Sequence, residues 1–509
     1  MKRKLAVLLA MVMIVSVAGS CGSDNDSDII TQNNGASSGA EQSSSQVMSA
    51  AEEPYVCKIV SVGEATTEAS DEVAARASEI LMEKYNIKIE LVRLGYGSFV
   101  SEVNLMLSSG EKLDLIPSFG ISTITAANTG QILELTDLIE EHGSSIKEHI
   151  TEGEWECVTF GGGIYAVPNN KEKAQGYGIA MRKDMLEAVD FDISTVTAEK
   201  DLEPLFELIK EAFPETYPLV SDRGQMGYHM VERDELGGDY GVVINPTNAD
   251  RVEVVNYFET PEYEEVIQLH YEWSQKGYII PDATTYTEDA GTLIGMGKGF
   301  AYYTNTKPGI DAEWERKVGK EMVVLELVSP FKTTSGVSNQ WYIAHQSEDP
   351  EKAMIVLNEI YTNPELSDLL INGIEGQHYL RDEENRVLVF PEGVDASNTT
   401  YSSVAWVWPN ELVSTPWAAD GEDIWTLTDE FNKSAKEAVT LGFVWDNSAV
   451  LNEITACNNV KAKYENALNC GTLNPDEALP KLISELKNAG IDVIIAEKQK
   501  QVDAWLANR

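Results

Sequence analysis

The residues with acid–base or metal-binding chemistry to offer are 83 carboxylates, six histidines and five cysteines. His142, His149, His229, His270, His345 and His378 never stand at ligand spacing, and no Cys-x-x-Cys or Cys/His zinc pattern occurs. The motifs G-x-x-x-x-G-K-S/T, H-E-x-x-H and G-x-S-x-G are absent, so phosphate-loop, zinc-hydrolase and serine-elbow chemistry lack their signatures. GGGIYA (161–166) lacks the glycine that a dinucleotide fingerprint needs at its sixth position, and reads as a turn between strands. Asp24, Asp26 and Asp28 resemble a calcium loop only superficially, because its glycine and closing glutamate are missing. No metal and no cofactor are expected. Glycoside hydrolysis needs only two carboxylates ~5–9 Å apart, and a linear sequence cannot select that pair, so an enzyme reading stays open here.

Aromatic residues say more. Ten Trp and 20 Tyr are present, with clusters at Tyr302-Tyr303, Trp341-Tyr342, Trp406, Trp408, Trp417 and Trp425. Flat rings flanked by Asn, Gln and Thr suit sugars, whose C–H faces stack while their hydroxyls need polar partners. The competing reading is that the same rings fill a large core.

These residues need elements to position them, and the chain begins with an address rather than a domain. Lys2, Arg3 and Lys4 precede an apolar run, Leu5 to Val17, that is shorter than the ~20 residues a membrane span needs. Ala18, Gly19 and Ser20 suit a signal peptidase, so residues 1–20 read as an export signal. Cys21 follows at once and reads as a lipidation site, with ordinary secretion after Ser20 as the alternative. Residues 21–53 are rich in Ser, Asn, Gly, Gln and acids, which predicts a flexible tether. The formal net charge is −45, and cleavage would remove three of the cations. Such acidity argues against nucleic acid and against electrostatic adhesion to anionic lipid.

The remaining chain has room for two or three domains of ~150 residues. Cys57, Cys157, Cys457 and Cys470 are too few for a disulfide framework, and one bridge at most (Cys457 to Cys470) is expected. YVCKIVSVG (55–63) and IKIELVR (87–93) read as strands flanking a helix over 70–86 capped by Ser70, which makes a right-handed βαβ unit. KLDLIPS (112–118) reads as the next strand of an open α/β sheet, where ligands settle at the carboxyl ends of the strands. Helices are expected near 201–213, 261–276 and 348–363, the last capped by Asp349 with Pro350 in its first turn. Asn474-Pro475 starts another, Gly490 stops it, and a final helix carries Ile495, Val502, Trp505 and Leu506.

GGGIYAVP…GYGIAMRKDML (161–186) resembles the extracellular solute-binding proteins of ABC importers, of the carbohydrate-binding kind. KGYIIPDATTYTEDAGTLIGMGKGFAYYTN (276–305) and NQWYIAHQSEDPEKAM (339–354) fit the same type. NKSAKEAVTLGFVWDNSAVLNEI (432–454) and NPDEALPKLISELKNAGIDVIIAEKQKQVDAW (474–505) resemble the C-terminal region of a long Gram-positive lipoprotein subfamily. The resemblance implies a two-lobed, periplasmic-binding-protein-like α/β fold of type II, each lobe an open mixed sheet flanked by helices, with extra C-terminal helices. It implies a monomer that catalyses nothing. Anchored through Cys21 to the outer face of the cytoplasmic membrane, it would capture a sugar or oligosaccharide and deliver it to membrane permease subunits. The expected lobes are 54–168 plus 301–345, and 169–300 plus 346–509. Expected ligand contacts are Ser118 and Phe119, Asn169 and Tyr177, Tyr303 and Asn305, and Asn339 and Trp341. A surface glycosidase, or a binding protein for peptides or another small solute, remain the alternatives.

Overall fold

The computed structural model describes residues 53–238, 240–248 and 251–509. The expected export signal, Cys21 and nearly all of the expected tether lie outside the described residues.

The first sheet grows from the βαβ unit that the sequence pattern announces. Tyr55–Val62 and Ile87–Leu94 pair in parallel over their full length, and Leu115–Pro117 joins on the other side. The helix between the first two, Thr67–Tyr85, buries Val73, Ala77 and Leu81 on one face. It begins earlier than the expected cap at Ser70, because Thr66 takes that role by accepting a hydrogen bond from the Ala69 amide at 3.2 Å. Asn86 stops it in the left-handed region. Gln340–Ile343 and Val167–Pro168 then pair antiparallel, which completes five strands.

The second sheet also has five strands, in the order Lys436–Glu437, Met322–Lys332, Ala174–Arg182, Gly299–Thr306, Tyr217–Leu219. Its centre is antiparallel, with Ala174–Arg182 between two long neighbours. Each sheet has its own apolar core. Trp341, Met354, Leu357, Ile360 and Trp408 belong to the first, and Phe206, Trp273, Leu293 and Phe300 to the second. This is the expected mixed α/β architecture of sheets flanked by helices. A third core joins Leu451–Asn469, Pro475–Ala489 and Ile491–Leu506 to Phe258, Tyr263 and Ile267, and supplies the extra C-terminal helices.

Strand pairing divides the chain differently from the expected boundaries. Residues 301–345 were expected with the first lobe, yet Gly299–Thr306 and Met322–Lys332 flank Ala174–Arg182 in the second sheet. Conversely, the helices Pro350–Thr362 and Pro364–Asn372, expected with the second lobe, pack into the core of the first. The reason is burial: Ala353, Met354, Val356, Leu357, Ile360 and Tyr361 can leave water only against the first sheet. The chain therefore crosses between sheets at 169–173 and 333–339, and again between Trp408 and Lys436.

Asn432 pins the first crossing. Its Oδ1 accepts the Lys173 amide at 2.7 Å and the Ala174 amide at 3.3 Å, and its Nδ2 donates to the Lys171 carbonyl at 2.7 Å. Beside it the Lys173 ammonium meets Glu154 at 2.8 Å, with both side chains buried. Cys57, Cys157, Cys457 and Cys470 are all free and buried, so the 457–470 bridge that the sequence left open is not formed.

Candidate functional site

Open α/β sheets present ligands at the carboxyl ends of their strands, and in the first sheet those ends carry an aromatic group. Phe119 follows Leu115–Pro117, and its ring meets Tyr96 at 6.0 Å, Phe99 at 5.6 Å and Trp406 at 6.0 Å. Tyr96 leaves 46% of its surface exposed. Nearby, the Arg93 guanidinium lies 4.4 Å over the Tyr401 ring and donates to the Ser402 carbonyl at 2.9 Å. Its Nε and Nη1 are buried without a partner, so they remain available as donors. Only glycine fits at Gly63, where a Cβ would stand 1.9 Å from that guanidinium.

The second sheet contributes another aromatic pair. Tyr177 stacks on Tyr228 with centroids 5.2 Å apart, and Tyr228 is 41% exposed. Burial pushes the Tyr177 phenol up to about 12, so it remains a hydrogen-bonding hydroxyl at any physiological pH. An adjoining cavity of about 870 Å³ is lined by Asp222, Arg223, Tyr228, Asn305, Trp314 and Lys317.

A charged group lies along and beside the crossing segments. Glu172 lies on the first crossing and pairs with Lys171 at 2.7 Å. Glu411 sits beside it because the Glu411 amide donates to the Asn170 carbonyl at 3.1 Å, and the Asn170 amide to Pro409 at 2.8 Å. Lys307 follows the Gly299–Thr306 strand and pairs with Glu313 at 3.3 Å, and Lys317 pairs with the same Glu313 at 2.7 Å. Burial first, and then the neighbouring Glu172 carboxylate, push Glu411 up to about 8 against the opposing pull of Lys171 and Lys307. Burial also acts to raise Glu172, but Lys171 and Lys307 override it and hold that carboxyl below its ordinary range. Lys307 and Glu313 in turn act on Tyr228 of the second aromatic pair. A pair split in this way resembles a glycosidase acid and base. However, the two carboxyls act on each other as immediate neighbours, closer than the ~5–9 Å that a glycosidic linkage requires. Among the described residues no His, Cys, Asp or Glu group can hold a metal ion.

The expected contacts fall into three groups. Phe119, Tyr177 and Asn305 lie where the walls and cavity are. Ser118, Asn169 and Asn339 stand at the crossings with their polar groups largely engaged. The Ser118 hydroxyl donates to the Ser338 carbonyl at 2.8 Å, Asn169 donates to Trp406 and Val407, and the Asn339 carbonyl accepts the Asn169 amide. Asn169 Oδ1 alone is buried without a partner.

Two residues belong to the cores instead. Trp341 is fully buried, stacks on Trp408 at 5.5 Å and donates to the Val407 carbonyl at 2.8 Å. Tyr303 borders the cavity beside Tyr228 but its side chain is fully buried, its hydroxyl donating to Glu199 and lying 3.0 Å from His270 Nε2. Neither ring reaches solvent in this arrangement. Tyr96, Tyr228, Glu172, Lys307 and Glu411 are not singled out by the sequence, whereas Trp406 stands among its aromatic clusters. Tyr96 did carry a signal, as a tyrosine between glycines directly after a strand (LGYG, 94–97).

With this geometry in place, the comparisons are direct. Over 457 residues the chain is 29% identical to a carbohydrate ABC transporter substrate-binding protein of Streptococcus pneumoniae serotype 4, covering 86% of this chain and 89% of that protein. The chain is a homologue of ABC-transporter substrate-binding proteins. It superposes on the crystal structure of an N-glycan transport solute binding protein, NgtS, of S. pneumoniae with a TM-score of 0.79 and 26% identity, covering 89% and 99% of the two chains. The same protein in complex with Man5GlcNAc matches with a TM-score of 0.68 and 26% identity over the same shares. Residues 439–507 match a domain of unknown function, DUF3502.

The raised Glu411 has a consequence for stability. Its carboxyl titrates higher in the folded chain than in an unfolded one, so its favourable contribution is complete below pH ~4.5 and is lost as pH rises toward about 8. Glu411→Gln should therefore flatten the fall in Tm between pH 5 and 8 and raise Tm at pH 8. Parallel melting curves for the two proteins across that range check this, and unchanged slopes would contradict it.

Proposed function

We propose that this protein captures an oligosaccharide between the aromatic group of the first sheet and the Tyr177–Tyr228 pair of the second. It then delivers that ligand to the permease of an ABC importer and performs no catalysis on it. The observation carrying this reading is the pairing of exposed rings on two sheets with carboxylates, amides and ammonium groups along and beside the crossing segments. Rings receive the C–H faces of sugars, and the polar groups satisfy their hydroxyls. The similarity to proteins named for carbohydrate and N-glycan transport supports the ligand class. The superposition is better on the first NgtS structure (0.79) than on its Man1GlcNAc and Man5GlcNAc complexes (0.70 and 0.68), which favours a lobe rearrangement on binding. Such a rearrangement reports occupancy only if ligand binds one arrangement better than the other.

In this reading the chain is a monomer. Residues 1–20 are removed and Cys21 carries the lipid that holds the body at the outer face of the membrane, on an acidic tether extending to residue 53. No helix among the described residues is long and apolar enough to cross a membrane. Mass spectrometry of the mature N-terminus should find a diacylglyceryl-modified Cys21; an unmodified peptide would leave secretion alone.

Titration with mannose–N-acetylglucosamine oligosaccharides should give a saturable change in tryptophan fluorescence. Phe119→Ala or Tyr228→Ala should weaken binding about tenfold, the loss of one stacking partner of roughly 1.4 kcal/mol. A response confined to peptides would refute the ligand class, and shortened sugars in the mixture would refute the absence of catalysis.

A further inference from the structure

Residues 222–228 line the cavity beside Tyr228, and the segment continues to 238 with almost no regular structure, only the two-residue strand Arg233–Asp234. A long irregular segment must find partners for its backbone polar groups elsewhere. Here many of those partners come from the C-terminal region. Asn466 Nδ2 donates to the Gly224 carbonyl at 2.8 Å, and the Cys470 thiol approaches the same oxygen at 3.7 Å. The buried Lys498 ammonium donates to the Glu235 carbonyl at 3.3 Å and also to Gly238. The Thr440 hydroxyl donates to the Asp234 carboxylate.

The turn at Gly224 leaves no freedom to drift independently. Gly224 is in the left-handed region, and a Cβ there would stand 2.7 Å from the Thr284 carbonyl. Three residues on, Gly227 lies under the Tyr302 hydroxyl, where a Cβ would stand at 2.4 Å. Tyr228 therefore leaves a backbone clamped on both sides. The end of the helix Leu451–Asn469 is itself fixed in the second core: Cys470 is buried there, and the Asn469 carbonyl lies 2.6 Å from His270 Nδ1.

We infer that the C-terminal region of residues 439–507, which matches a domain of unknown function, positions the Tyr228 wall of the ligand cleft, with Asn466 as its principal contact. Ligand meets Tyr228, and Asn466 acts through it. The inference rests on the sugar-binding reading only for its effect on affinity, not for the positioning itself.

The test uses the full mature chain and two readouts. In the absence of sugar, Asn466→Ala should speed amide hydrogen exchange across 222–238 while leaving the strands Ala174–Arg182 and Gly299–Thr306 at wild-type rates. Unchanged exchange in 222–238 would overturn the positioning role. Should the alanine variant lose its fold, Asn466→Leu keeps roughly the side-chain volume, removes the donor without adding a charge, and is held to the same criterion. With Man5GlcNAc as probe, Asn466→Ala should weaken binding about three- to tenfold. It should have no further effect in a Tyr228→Ala background, whereas additive losses would mean that Asn466 acts on stability alone. If wild type does not bind the probe, the ligand reading fails and the exchange measurement still decides this one.

Discussion

Everything in this molecule hangs on a short polar seam where the chain passes from one sheet to the other. Between the strands Val167–Pro168 and Ala174–Arg182 the backbone leaves one sheet before entering the next, and its amides need partners that neither sheet supplies. Asn432 provides three of those bonds from a helix far along the chain, and Asn410 Oδ1 accepts the Asn170 side-chain amide at 3.1 Å. The Lys173–Glu154 pair is buried, so losing either partner would strand a charge out of water at a cost of several kcal/mol. Such a seam defines where the chain crosses more firmly than apolar contact could, because each group has one geometry in which it is satisfied.

The binding reading follows from that constraint. Two separate apolar cores hold the sheets as distinct bodies joined by the crossings, and on the proposed reading each moves as a unit about them. Glu172 and Glu411 lie on the crossing segments themselves. A ligand bridging the walls would thus touch the segments whose conformation sets the angle between them. That arrangement suits a protein whose signal is its own shape.

Much of this was legible in the residue pattern. Periodicity gave the opening βαβ unit, the Asp349-capped helix and both C-terminal helices, since local caps and apolar stripes decide local structure. Sheet membership was not legible. Met322–Lys332 pairs with residues some 150 positions earlier, and nothing in its own alternation says which sheet it joins. The same limit explains Trp341 and Tyr303: a ring beside polar neighbours looks alike whether it faces a cleft or a core. In both cases the neighbour that decided the matter came from elsewhere in the chain, Trp408 for one and His270 with Glu199 for the other. Tyr228 escaped notice because its position is set by the C-terminal region rather than by its own segment.

The central claim is that sugar draws the two sheets together about the seam. Small-angle X-ray scattering of the mature protein, with and without saturating Man5GlcNAc, tests it most directly. The account predicts a smaller radius of gyration in the presence of the sugar and no change with an equal concentration of a non-binding peptide. A radius that stays the same although the sugar is demonstrably bound would contradict it.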